Sequence, residues 1–184
     1  PNIDSFFAEG VELENFMAWA VCSPTRTGLL TGRNPVQLNM GPETNGHLDK
    51  DIVTISDALQ SNGYATGCFG KWHNGEAVFR DSNGNPVDPP VNNLPGSADF
   101  GKTFARGPWD VSVNEQGFDE FLGFYAGGCD YITKEVYNIP LWFHNEVYLP
   151  EIWDTDSEYL HHKNGYVTDL LAEYAIKFIE RHDQ

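Results

Sequence analysis

Residues 22–33 read CSPTRTGLLTGR. They put a sulfur nucleophile, Cys22, one helical turn before a permanent cation, Arg26. Ser23 followed by Pro24 predicts an N-cap and a first helical residue, because proline is tolerated where the amide N–H would be unpaired anyway. Cys22 would then sit just outside a helix N-terminus, where free N–H groups and the positive dipole end favour an anion. Arg26 in the first turn adds a planar donor fork. Gly28 and Gly32 suggest close backbone approach or a short helix. Residues 63–75 read GYATGCFGKWHNG and carry a second pair. If the chain stays extended past Phe69, Lys71 and His73 point to one side and Trp72 to the other. Open α/β sheets place their sites at such strand ends. Together the four side chains describe an anion pocket with a nucleophile in it. Singly, each has an ordinary alternative: apolar packing for Cys22, a solvated lysine, a structural histidine. A tyrosine-phosphatase type of loop would need its arginine at position 28, where glycine stands.

The elements that must hold these residues are readable around them. Thr54 to Gln60 predicts a helix with a capping-box start, Asp57 in the acidic position, and an apolar stripe of Ile55, Ala58 and Leu59. Gly63 suits the residue after its end. Tyr64 to Phe69 reads as a short buried strand, with Gly70 letting the chain turn. At the start, PNIDSFFAEGV predicts a helix with Ile3, Phe6 and Phe7 on its inner face and Gly10 as its stop. Val11 to Ala20 alternates imperfectly, and Glu14-Asn15 breaks the period, so a strand with a bulge or bend is expected. In the tail, Val167, Leu170, Leu171, Tyr174 and Phe178 recur at helical spacing, and Glu173 and Lys177 can pair across one turn. Residues 76–116 read as an irregular insertion, rich in Pro, Gly, Asn and Asp between 81 and 108. Such a loop is either functional or a solvated linker. Following the Lys71–His73 strand end, it could wall a substrate pocket. Trp109, Tyr125, Tyr131, Tyr137, Trp142 and Trp153 could line a ring-binding wall or belong to the core, and none is assigned.

The two motifs, in this order, resemble the signatures of the type I sulfatases: C-x-P-x-R followed by LLTGR, then G-Y-x-T-x-x-x-G-K-W-H-x-G. The PNID opening, GFDEFLGF at 117–124 (a turn-and-strand in the family) and the final helix resemble further family segments, so the likeness spans nearly the whole chain, with a poor stretch at 76–116. It implies the α/β sandwich of the alkaline phosphatase-like superfamily, with a mostly parallel central sheet flanked by helices. It implies hydrolysis of sulfate esters by a formylglycine nucleophile made from Cys22 by a formylglycine-generating enzyme. One hydroxyl of the hydrated aldehyde would bind a metal, Ca²⁺ rather than Mg²⁺, and attack sulfur. Arg26 and Lys71 would stabilise the sulfuryl oxygens, Lys71 binding the substrate's sulfate, and His73 would hydrogen-bond the formylglycine hydroxyl. The substrate would be a sulfated small molecule or carbohydrate. Periplasmic, secreted or lysosomal placement follows from the likeness alone, and the sequence itself leaves localisation unknown. Rival readings are a phosphonate or phosphate ester hydrolase of the same superfamily, a degenerate relative that only binds sulfated ligands, and a plain cysteine–histidine hydrolase.

The resemblance also implies what lies outside the sequence. The family's Asp-Asp metal pair precedes the PNID helix, and an Asp-Asn pair, a histidine and a second lysine follow the last helix. The expectation is therefore a catalytic domain over residues 1–184, incomplete at both ends, with position 22 the one direct metal ligand present. The 184-residue piece alone is expected to be inactive. Composition is compatible: 40% hydrophobic content over 184 residues can bury a core. A formal net charge of −16 argues against nucleic acid and anionic membranes. Local charge at Arg26 and Lys71 must therefore overcome an unfavourable field, which is feasible because distant charges are screened beyond about 8–10 Å. No run is apolar enough to span a membrane. Of three cysteines, Cys68 reads as apolar packing, and Cys129 as free or paired.

Overall fold

The structure, a computed structural model, describes residues 2–41, 47–75, 78–80, 86–87, 104–106, 112–125, 127–133, 142–145, 147–148 and 165–183. Its centre is a four-stranded sheet in the order β1-β5-β6-β7. Strand β1 (Gly67–Lys71) runs parallel to β5 (Glu120–Phe124), from Gly67 opposite Glu120 to Lys71 opposite Phe124. Two short antiparallel strands, β6 (Phe143–His144) and β7 (Val147–Tyr148), extend the sheet beyond β5. Helix α4 (Val167–His182) covers β1. Its Val167, Leu170, Tyr174 and Phe178 are buried, as their spacing predicts. Phe69 stacks its edge on Tyr174 and Phe178, with ring centroids 5.8 and 5.5 Å apart. Glu173 and Lys177 pair at 2.9 Å on the outer face. The core continues through Trp72, Val113, Phe121, Leu122, Phe124, Tyr125 and Trp142.

The capping box forms as read. Thr54 Oγ1 accepts from the Asp57 amide, and Asp57 accepts from the Thr54 amide, at the start of α3 (Ile55–Ser61). The expected apolar stripe does not. Ile55, Ala58 and Leu59 are exposed, and the inward residue is Ser56, whose hydroxyl donates to the Gln116 carbonyl at 2.7 Å. A polar seam, not an apolar one, fastens α3 to the turn before β5. Gly117, in the left-handed region, is tucked so closely beneath α3 that a Cβ there would lie 2.2 Å from the Asp57 nitrogen. The strand also starts later than its apolar run suggests. Tyr64 is exposed, and the backbone of Thr66 is claimed by Asp119.

The N-terminal segment departs most from expectation. Helix α1 (Asn2–Glu9) forms and ends at Gly10, but Ile3, Phe6 and Phe7 face no described partner and stay exposed. Val11–Ala20 contains no strand, and Glu14-Asn15 is a turn. Helix α2 (Cys22–Thr31) begins two residues earlier than predicted. Val21, extended at φ −132°, is its N-cap, Cys22 is its first residue, and Pro24 lies inside the first turn. Gly32 ends it in the left-handed conformation, with its amide bonded to the Gly28 carbonyl. Within 76–116, the described parts include β2 (Val78–Arg80), β3 (Pro86–Val87) and β4 (Phe104–Arg106), which pair as a small antiparallel sheet in the order β3-β2-β4. Trp109, Tyr137 and Trp153 lie outside the described residues. Among the described residues no helix is long and apolar enough to cross a membrane.

Two outcomes follow from this packing. A Cβ at Gly123 would lie 1.8 Å from the Gly70 carbonyl oxygen, so Gly123→Ala must part β1 from β5. It should cost about 3 kcal/mol, the upper end of overpacking penalties. Unchanged urea stability would mean the strands do not approach this closely. Burial alone would raise the Asp119 carboxyl. Hydrogen bonds from Gln60 and from the Thr66 amide and hydroxyl outweigh it and hold the group below its usual range. Its stabilisation is present above the unfolded value of about 4 and is lost as pH falls through the lower folded value. Asp119→Asn should flatten the acid limb of a stability-versus-pH curve, and an identical curve would discount the carboxylate.

Candidate active site

The site forms where the start of α2 meets the end of β1. Beyond Lys71 the ladder to β5 continues: the Trp72 amide donates to the Phe124 carbonyl at 2.9 Å, and the His73 amide to the Tyr125 carbonyl at 3.0 Å. His73 is not extended. Its φ of 50° is left-handed, an uncommon conformation for a non-glycine residue. Lys71 and His73 therefore do not share a side by simple alternation. The backbone twists at His73 and turns its ring toward α2. There His73 Nδ1 lies 3.3 Å from Ser23 Oγ. The Ser23 hydroxyl, expected to cap the helix, faces the imidazole instead. One turn on, the buried Thr27 hydroxyl donates to Asn74 Oδ1 at 3.0 Å.

Two cations complete the arrangement. Arg26 Nη1 donates to the Lys71 carbonyl at 2.6 Å, tying α2 to the strand end. Lys71 Nζ donates to the Gly127 carbonyl, and its ammonium lies close enough to act on the Cys22 thiol. So Cys22, Arg26, Lys71 and His73 come together from two elements far apart in the chain. The pull of the Lys71 ammonium leads the influences that hold the Cys22 thiol below its ordinary value. Partial burial opposes it, while the Lys71 charge and the amides of Cys22 and Ser23 assist. A thiolate or other anion at position 22 is thus stabilised by a cation and by the helix start. Burial, with repulsion from Lys71 and Arg26, pushes His73 down to about 4, so the imidazole is neutral near pH 7. Cys68, by contrast, is pushed up to about 12 by burial. Cys22 and Cys68 are free thiols. Beside Lys71 and Arg26, a cleft of about 510 Å³ opens toward Cys129, Tyr131, Thr168 and Leu171.

Sequence reasoning missed Ser23 as a partner of His73 and Gly127 as an acceptor for Lys71. The only signal for the second was a Gly-Gly pair just past a predicted strand. Among the described residues no three His, Cys, Asp or Glu side chains cluster as a metal site. The neighbours of Cys22 are cations, whereas Ca²⁺ takes about six to eight oxygens, so the described set does not fit that ion.

The sequence profile described as Sulfatase matches residues 1–184. The chain belongs to the sulfatase family. This sulfatase chain is 29% identical over 184 residues to YdeN, an uncharacterised sulfatase of Escherichia coli strain K12, covering 98% of the chain and 28% of YdeN. It is 40% identical over 81 residues to human arylsulfatase A, covering 41% of the chain and 16% of that enzyme. It thus spans less than a third of either relative's length. Among solved structures, Ps i-CgsB superposes with a TM-score of 0.53 at 24% identity, over 88% of this chain and 31% of that one. The likeness shows a shared fold, the alkaline phosphatase-like sandwich.

The site's electrostatics can be checked in protein whose Cys22 is unmodified. Iodoacetamide at mild alkaline pH should label Cys22 about tenfold or more faster than Cys68, because one thiol is exposed beside Lys71 and the other is half-buried and pushed up to about 12. Lys71→Met should slow the labelling of Cys22. Equal labelling of both cysteines would contradict this arrangement.

Proposed function

We propose that the protein to which this chain belongs hydrolyses sulfate esters, with position 22 supplying the nucleophile as a formylglycine made from Cys22 by a formylglycine-generating enzyme. The observation that carries the proposal is the meeting of Cys22 with Lys71, Arg26 and His73 at the start of α2. Family membership supports the reaction class. The hydrated aldehyde offers two hydroxyls: one attacks sulfur as the alcohol leaves, and loss of the other's proton expels sulfate and restores the aldehyde.

The chain's own residues do the rest. Lys71, fixed by the Gly127 carbonyl, presents its charge at position 22 and meets the sulfuryl oxygens as negative charge builds. Arg26 holds the strand end against α2 and adds positive potential. The neutral imidazole of His73 can exchange a proton with a hydroxyl at position 22, and its Nδ1 is engaged by Ser23. The cleft beside Lys71 and Arg26 has room for the organic part of the ester. A calcium ion, implied by the family resemblance, belongs to this proposal with oxygen ligands beyond the described residues, and no step is assigned to it.

The substrate class is a sulfated small molecule or carbohydrate. One structural neighbour, Ps i-CgsB, is seen in complex with an oligosaccharide, k-i-k-neocarrahexaose, which brings sulfated sugars into the assay beside aryl sulfates. Full-length protein made with a formylglycine-generating system should show, by peptide mass spectrometry, loss of the thiol mass at position 22 and reaction with a hydrazide probe. It should turn over an aryl sulfate faster than the matching aryl phosphonate, and lose activity with Cys22→Ala. An active preparation carrying only unmodified cysteine would sink the formylglycine reading, and faster phosphonate turnover would favour the phosphonate hydrolase. Lys71→Ala should lower kcat by about 10²–10³-fold with little change in Tm.

A further inference from the structure

We infer that Gly127 is a positioning residue for both Lys71 and His73, and that its lack of a side chain is what lets the imidazole stand beside position 22. The inference rests on the proposed sulfatase reading for its catalytic meaning, but its geometry stands apart from that reading. Phe124, Tyr125 and Gly127 lie at and just past the end of β5, alongside the tail of β1. The carbonyls of Phe124 and Tyr125 take the amides of Trp72 and His73, and the carbonyl of Gly127 takes the Lys71 ammonium. One short stretch of main chain therefore sets both the backbone and the charged tip of the site.

The second half of the argument is steric. A Cβ at Gly127 would lie 3.3 Å from both Cε1 and Nε2 of His73. That is tight enough that the ring must give by a few tenths of an ångström. The ring has little room to give. Its backbone is held by the Tyr125 carbonyl, and its Nδ1 already lies 3.3 Å from Ser23 Oγ, near the outer limit of a hydrogen bond. Gly127 does not occupy the left-handed region, so alanine brings no backbone strain of its own. The neighbouring Gly128 is a built-in comparison: it too lies outside that region, and a Cβ there would meet nothing within 4 Å.

The test uses full-length protein with isotopically labelled histidine. Gly127→Ala should move the His73 imidazole signals, identified by their loss in His73→Ala, and lower kcat on an aryl sulfate about tenfold or more with Tm nearly unchanged. Gly128→Ala should leave the His73 signals in place. Adding Gly127→Ala to His73→Ala, where no ring remains to displace, should leave Tm where His73→Ala alone has it. That double variant also decides the matter if Gly127→Ala alone folds poorly. The inference is overturned if Gly127→Ala leaves the His73 signals unmoved, if Gly128→Ala moves them as far, or if shifted signals accompany a wild-type kcat. Absence of sulfate ester turnover in the unsubstituted protein would instead count against the sulfatase reading, while the His73 signals still report the positioning.

Discussion

The parallel pairing of β1 with β5 is the constraint on which the site depends. Parallel ladders do not form from a tight turn, so this one must be specified by burial and by close backbone fit. Here the fit is made by two glycines facing each other, Gly70 and Gly123, with the Gly70 carbonyl in the space a side chain at 123 would occupy. The ladder then overruns the strand by two residues, to Trp72 and His73. Buried on one side of this extension is Trp72, packed edge-on against Phe118 with ring centroids 6.1 Å apart. An aromatic wedge in the core thus anchors the cation and the imidazole that flank it in sequence.

Helix α2 is fastened to this rail by polar contacts: Ser23 with His73, Arg26 with the Lys71 carbonyl, Thr27 with Asn74. They recur along one face of the helix, so a rotation of α2 would strain all of them together. The chain as a whole is strongly acidic, at −16, yet Arg26 and Lys71 stand side by side. Two cations that share one site repel. The carbonyls of Lys71 and Gly127 offset that repulsion, and an anion at position 22 would offset it further. This is the electrostatic signature of a site built for negative charge.

Much of this was legible in the sequence, for local reasons. The Thr54–Asp57 box and the helical spacing of Val167 through Phe178 rest on interactions within a few residues of one another, and both formed. What escaped depended on contacts made far along the chain. Ser23 looked like an N-cap because Ser-Pro starts helices, but its hydroxyl is taken by a histidine fifty positions away, and the helix starts at Cys22 with Val21 outside it. Ile55 and Leu59 looked like an inner face, but α3 docks through hydroxyls onto the Gln116 carbonyl. His73 looked like the next residue of a strand, and nothing local marks its left-handed backbone. Ile3, Phe6 and Phe7 looked like the inner face of α1, but the helix forms with all three exposed.

The acceptor that fixes Lys71 is a main-chain carbonyl, and this has a consequence for how the site reports itself to mutagenesis. Side-chain replacement cannot delete a carbonyl, so an alanine at position 127 would register the methyl it adds and stay blind to the oxygen that matters. The same blindness extends to comparisons between relatives, where the residue type at an acceptor position is free to drift while the bond persists. Replacing the peptide link after Gly127 with an ester, which weakens that oxygen as an acceptor and leaves every side chain in place, is the change that would make it visible.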